Sequence, residues 1–103
     1  MVDFNQVLDQ AVKESITEML GSNVLTALYA SLEKFHNITS DILANRIDVM
    51  CSILEYLFGN KSARIIGRRI ACRLYDKLNL PFEEKMEFSL LNYVEAARKQ
   101  VAD

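Results

Sequence analysis

The sequence predicts an all-α protein, a small bundle of about five helices. Three observations carry this reading. Apolar residues recur at steps of three and four through five successive segments. No strand-like alternation persists beyond a few residues. The 103-residue chain also holds only 3 Gly and 1 Pro, too little punctuation for the many turns of a β fold. The length corresponds to one helical domain spanning 1–103.

Each segment has its own start and stop signals. In the first, Phe4, Val7, Leu8, Ala11, Val12, Ile16, Met19 and Leu20 form the apolar stripe. Asp3 reads as its N-cap, with Gln6 three residues on as a capping box. Gly21 supplies a left-handed stop. The second helix runs from Ser22 or Asn23 to Phe35, with Val24, Leu25, Leu28, Leu32 and Phe35 as its stripe. So short a connection makes the first two helices a hairpin or a sharp corner.

Thr39, Ser40 and Asp41 are capping residues before a short turn through Ile42 and Leu43. Asn45, with Asp48 three residues on, reads as the start of a third helix. Its stripe is Ile47, Met50, Cys51, Leu54, Leu57 and Phe58, and Gly59-Asn60 ends it. A fourth helix starts near Lys61 or Ser62 and runs to about Leu78, with Ile66, Ile70, Leu74 and Leu78 on one side. Pro81 blocks its continuation. A fifth is expected from Pro81 or Phe82 to Val101, carrying Phe82, Met86, Leu90, Tyr93, Val94, Ala97 and Val101.

Half of the residues are apolar and a quarter are charged, so the chain is not disordered. A domain this small hides only part of so much apolar surface in its own core. The surplus points to burial against a second copy or another partner, and self-association is the expectation. The formal charge of −2 points to neither nucleic acid nor membrane. MVDFNQVLDQ has no signal-peptide character, and no stretch approaches the length of a membrane span. Cys51 and Cys72 form no CxxC pair, and one histidine is too few for a Cys/His zinc site. A soluble, reduced, cytoplasmic protein is expected.

The fourth helix is the most informative. Lys61, Arg64, Arg68, Arg69, Arg73 and Lys77 make up six of the chain's 12 basic residues, against one acid, Asp76. Lys61, Arg68, Arg69 and Arg73 spread over one broad face, opposite Ile66, Ile70 and Leu74. Such a face binds phosphate, nucleic acid or an acidic partner, or it is neutralised by acids on the other helices. The rest of the chain carries net −7, so partners for Arg68, Arg69 and Arg73 are plentiful. Ile65 and Cys72 lie on the same face, as in an interface where guanidinium stems cover apolar surface. Between Ser62 and Leu78 no Asn, Gln or Ser stands among the arginines, so any nucleic-acid binding would be independent of sequence.

Ala63, Gly67 and Ala71 recur at steps of four beside the apolar stripe. A glycine inside a helix costs about 1 kcal/mol relative to alanine. Close approach of another backbone, within the chain before across a dimer seam, explains it. His36 lies near helix-terminal carbonyls and has no nucleophile or carboxylate partner spaced for catalysis. Glu83, Glu84 and Glu87 suit a helix N-terminus. No phosphate loop, HExxH or EF-hand pattern is present. Neither cofactor nor catalytic activity is expected.

Three stretches together resemble a known family: AVKESITEMLGSNVLTALYASLEK at 11–34, LEYLFGNKSARIIGRRIACRLYDKLNL at 54–80, and FEEKMEFSLLNYVEAARKQ at 82–100. The most specific part is Leu57-Phe58-Gly59, followed by a helix ending Leu74-Tyr75-Asp76-Lys77-Leu78. The chain looks like a Nitrosopumilus-type output domain, a small helical domain of archaeal proteins. The resemblance implies an archaeal cytoplasmic protein with an output or adaptor role in signalling, and no catalytic residues. Asn79 stands where the family pattern leads one to expect a helix-ending glycine. The connection ITSDILANR at 38–46 lacks the family's prolines.

Overall fold

The computed structural model describes residues 3–102 and places them in four α-helices. These are α1 (Phe4–Leu20), α2 (Ser22–His36), α3 (Ile47–Lys77) and α4 (Leu90–Ala102), with a short 3-10 turn at Leu43–Asn45. The all-helical class is as expected, but the count of about five is not. The expected third and fourth helices follow one another with no connecting loop, meeting at Gly59, where the backbone leaves helical geometry, and the expected fifth is shorter than its pattern suggested.

α1 starts as the sequence indicates, with the Asp3 carboxylate accepting the Gln6 backbone N–H at 3.3 Å. Gly21 ends it at φ 95°, ψ 160°, a positive-φ geometry more extended than the left-handed stop expected. That single residue turns the chain directly into α2. Gly59 adopts nearly the same geometry, φ 82°, ψ 164°, and bends α3 into limbs 47–58 and 60–77. Both values lie in a region essentially restricted to glycine. Gly59 therefore breaks the helix where the sequence places its end, and a second helical limb starts directly after it.

α3 begins at Ile47, after Arg46, rather than at Asn45, which sits in the 3-10 turn. Its far end closes as a Schellman motif. Leu80 N–H donates to the Tyr75 carbonyl at 2.9 Å, and Asn79 N–H to that of Asp76 at 3.1 Å. Asn79 takes φ 57° and so fills the role expected of a glycine.

After Pro81, residues 81–89 do not resume a helix, although Phe82 and Met86 fit the period of α4. Two interactions favour the irregular path. Ser89 caps α4, its N–H and Oγ both meeting Asn92 Oδ1 at 2.9 and 3.0 Å. Phe82 and Phe88 fold back onto Tyr93, at 5.2 and 5.1 Å between ring centroids. Met86 is left 86% exposed rather than joining the stripe.

α1 and α3 form the centre of the bundle. α1 packs on α2 and α3, and α3 on α4. Leu8, Val12 and Ile16 of α1 are buried with Met50, Leu54, Ile70 and Leu74 of α3 and Val94 and Ala97 of α4. Arg98 pins α4 across the far end: its Nη2 donates to the Ala44 carbonyl at 3.1 Å, and its guanidinium lies 4.6 Å from the Phe4 ring centre. No helix among the described residues is long and apolar enough to cross a membrane.

Candidate interaction surfaces

The basic face of limb 60–77 divides into three parts. Arg73 and Lys77 turn toward α1. Arg73 Nη1 meets Glu14 at 3.2 Å, its Nη2 meets Glu18, and Lys77 Nζ meets the other Glu14 oxygen at 3.0 Å. Arg68 pairs with Glu84 at 2.6 Å, on the irregular segment before α4. Lys61, Arg64 and Arg69 are exposed and have no carboxylate within 4.0 Å among the described residues. Ile65, 54% exposed, stands among these three, and Cys72 is exposed beyond it.

Glu14 gives the network a pH signature. Lys77, and after it Arg73, hold its carboxyl below the ordinary value of 4.5. A carboxyl depressed on folding contributes stability above its unfolded pKa, and that contribution disappears as pH falls through the folded one. The pair is solvent-exposed, so its contribution is small. The urea midpoint of wild type should therefore exceed that of Glu14→Gln at pH 7, with the gap closing below pH 4.5. A gap that does not change with pH would show that the network is electrostatically idle.

Gly67 is buried, and the close approach inferred for it is intramolecular. A Cβ there would lie 3.2 Å from the Cβ of Leu90, at the start of α4. Ala71, one turn later, is buried, and Ala63, one turn earlier, is half-buried. Where the contact with Leu90 ends, a cavity of about 220 Å³ opens between the two limbs of α3 and the segment leading into α4. Cys51 is on its wall, and burial pushes its thiol up to about 11. Burial thus favours the protonated thiol at neutral pH.

A second recess, of about 320 Å³, lies between α1, α2 and limb 47–58. α2 packs along α1 and makes little contact with α3, which leaves this groove open. Ile16, Leu20, Val24, Leu28, Leu54 and Phe58 line it, and no charged side chain does. Leu57 at its edge is 56% exposed, and neighbouring Tyr56 84%. The sequence carries a sign of this groove beyond apolar period. No charged residue occurs between Glu18 and Glu33, although α2 has a solvent-facing side. Asn23, Ala27 and Ser31 fall at steps of four along the groove's α2 wall.

Among the described residues, no three His, Cys, Asp or Glu side chains converge as a metal site. His36 is exposed at the last position of α2. No family model, curated protein or solved structure matches the chain.

Proposed function

We propose that the chain is a non-enzymatic interaction module of the signalling-output kind, and that it self-associates through the groove between α1, α2 and α3. The uncharged lining of that groove carries the reading. In a two-fold dimer a patch meets its own copy, so any charge near the axis faces a like charge. A charge-free surface escapes that repulsion, whereas the face bearing Lys61, Arg64 and Arg69 would repel itself. Interface centres are likewise depleted of charge. The surface also pairs a recess with a projection, since half-exposed Leu57 stands at the edge of the groove that another copy's Leu57 could enter. The small residues along α2 let a second backbone come close. The resemblance to the archaeal Nitrosopumilus-type output domain fits the same role in a cytoplasmic protein.

Sedimentation equilibrium at micromolar concentration should give about twice the 11.8 kDa chain mass. Leu57→Glu, at a half-exposed position, should remain helical by circular dichroism and sediment as a monomer. A monomeric wild type, or a dimer indifferent to Leu57→Glu, would overturn the reading.

The alternative is sequence-independent nucleic-acid (phosphate) binding through 61–78, favoured by Lys61, Arg64 and Arg69, which have no carboxylate partner among the described residues. Engagement of Arg68, Arg73 and Lys77 by carboxylates of the same chain counts against it.

A further inference from the structure

The 220 Å³ cavity differs in chemistry from the uncharged groove, and it is lined by Arg64, which has no carboxylate within 4.0 Å among the described residues. Its inner walls are apolar: Leu54, Phe88 and Leu90, with Gly67 at its base. At the liquid's ~30 Å³ per molecule the volume corresponds to about seven waters, or to one bulky apolar side chain.

The rim is charged. Arg64, Arg68 and Lys85 line it with Glu55 and Glu84. Glu84 is taken by Arg68. Lys61 lies one turn before Arg64, so it extends the row of Arg64 and Arg68 along the helix beyond the lining residues. Among the lining residues three cations face two acids, an excess of one positive charge. Exposed Met86 stands at the mouth, a flexible apolar side chain of the kind that adapts to varied partners.

We propose that this cavity takes one bulky apolar side chain from a segment of a partner protein, with acidic residues flanking that side chain and pairing with Lys61, Arg64 and Lys85. This rests on reading the chain as an interaction module and adds a second surface, distinct from the self-association groove. Nucleic acid would use the cations but leave the apolar cavity and Met86 unexplained.

The test is selection of displayed random 12-residue segments on the immobilised full chain. Enriched segments should carry Phe, Leu, Ile or Met with Asp or Glu within a few positions. A labelled enriched peptide should lose at least about tenfold in affinity, or 1.4 kcal/mol, on Lys61→Glu with Arg64→Glu. It should lose as much when its apolar residue becomes serine. Met86→Ser should weaken it further without affecting the fold. Leu57→Glu should leave peptide binding intact, which separates this surface from the dimer. Selection without an acidic-apolar consensus, or binding that ignores the apolar residue, would overturn the proposal. So would displacement of the peptide by duplex DNA with steep salt dependence, which would assign the face to phosphates.

Discussion

Tyr93→Ala should lower the unfolding free energy by about 3–5 kcal/mol, the usual cost of truncating a buried aromatic residue. Tyr93 is buried on α4 at the centre of a ring cluster. The rings of Phe82, Phe88 and Tyr75 lie 5.2, 5.1 and 6.3 Å from it. Its backbone carbonyl accepts the Tyr75 hydroxyl at 2.8 Å, tying α4 to α3. Its own hydroxyl accepts the Lys85 N–H at 2.7 Å and donates to the Lys85 carbonyl at 3.1 Å. These two bonds, with Phe82 and Phe88, hold the irregular segment in place. Tyr93→Phe keeps the rings and loses only the hydroxyl's bonds, so about 1–2 kcal/mol is expected. Urea unfolding measures both variants, and limited proteolysis within 81–89 should accelerate in each. A Tyr93→Ala protein as stable as Tyr93→Phe would show that the ring cluster contributes nothing.

Gly67→Leu should cost about 1–3 kcal/mol through overpacking against α4. The backbone fixes the direction of a new Cβ, and it arrives 3.2 Å from Leu90 Cβ whatever rotamer follows. The outer carbons can turn into the neighbouring cavity, which limits the cost but fills the proposed peptide site. Gly67→Ala brings the same tight contact with a helix-propensity gain of about 1 kcal/mol against it. It should therefore be close to neutral. Denaturant midpoints of the three proteins order these effects. A Leu variant more stable than wild type would mean that α4 does not approach Gly67 closely.

How much of this was legible in the sequence varies by feature. Helix period gave α1 and α2 nearly to the residue, because Asp3 and Gly21 mark boundaries by local chemistry. Gly67 was legible as a close-packing site, since a buried helical glycine needs a neighbour. Its partner, Leu90, was not. Gly59 marks a helix end in the sequence and interrupts the helix in the structure, but that the next helix follows with no intervening loop is not written in the glycine itself. Met86 matched the period of a helix that does not form there. Period records where apolar residues fall but not whether Pro81, the Ser89 cap and the Tyr93 cluster outweigh propensity.

The basic helix shows the same division. Its charges and the acids able to meet them were visible in the sequence. Which arginines meet which acids was not, because Glu14 and Glu18 lie more than fifty residues from Arg73. By itself the sequence determined the all-helical class, most of the helix faces and the concentration of positive charge on limb 60–77. These follow from side-chain period and local capping, which act within a few residues. Only the tertiary structure decided that Arg73 and Lys77 are neutralised while Lys61, Arg64 and Arg69 are not. It alone placed a cavity beside Gly67 and an uncharged groove against α2. Those depend on how helices distant in sequence approach one another, which the packing of α1, α3 and α4 around a shared core sets.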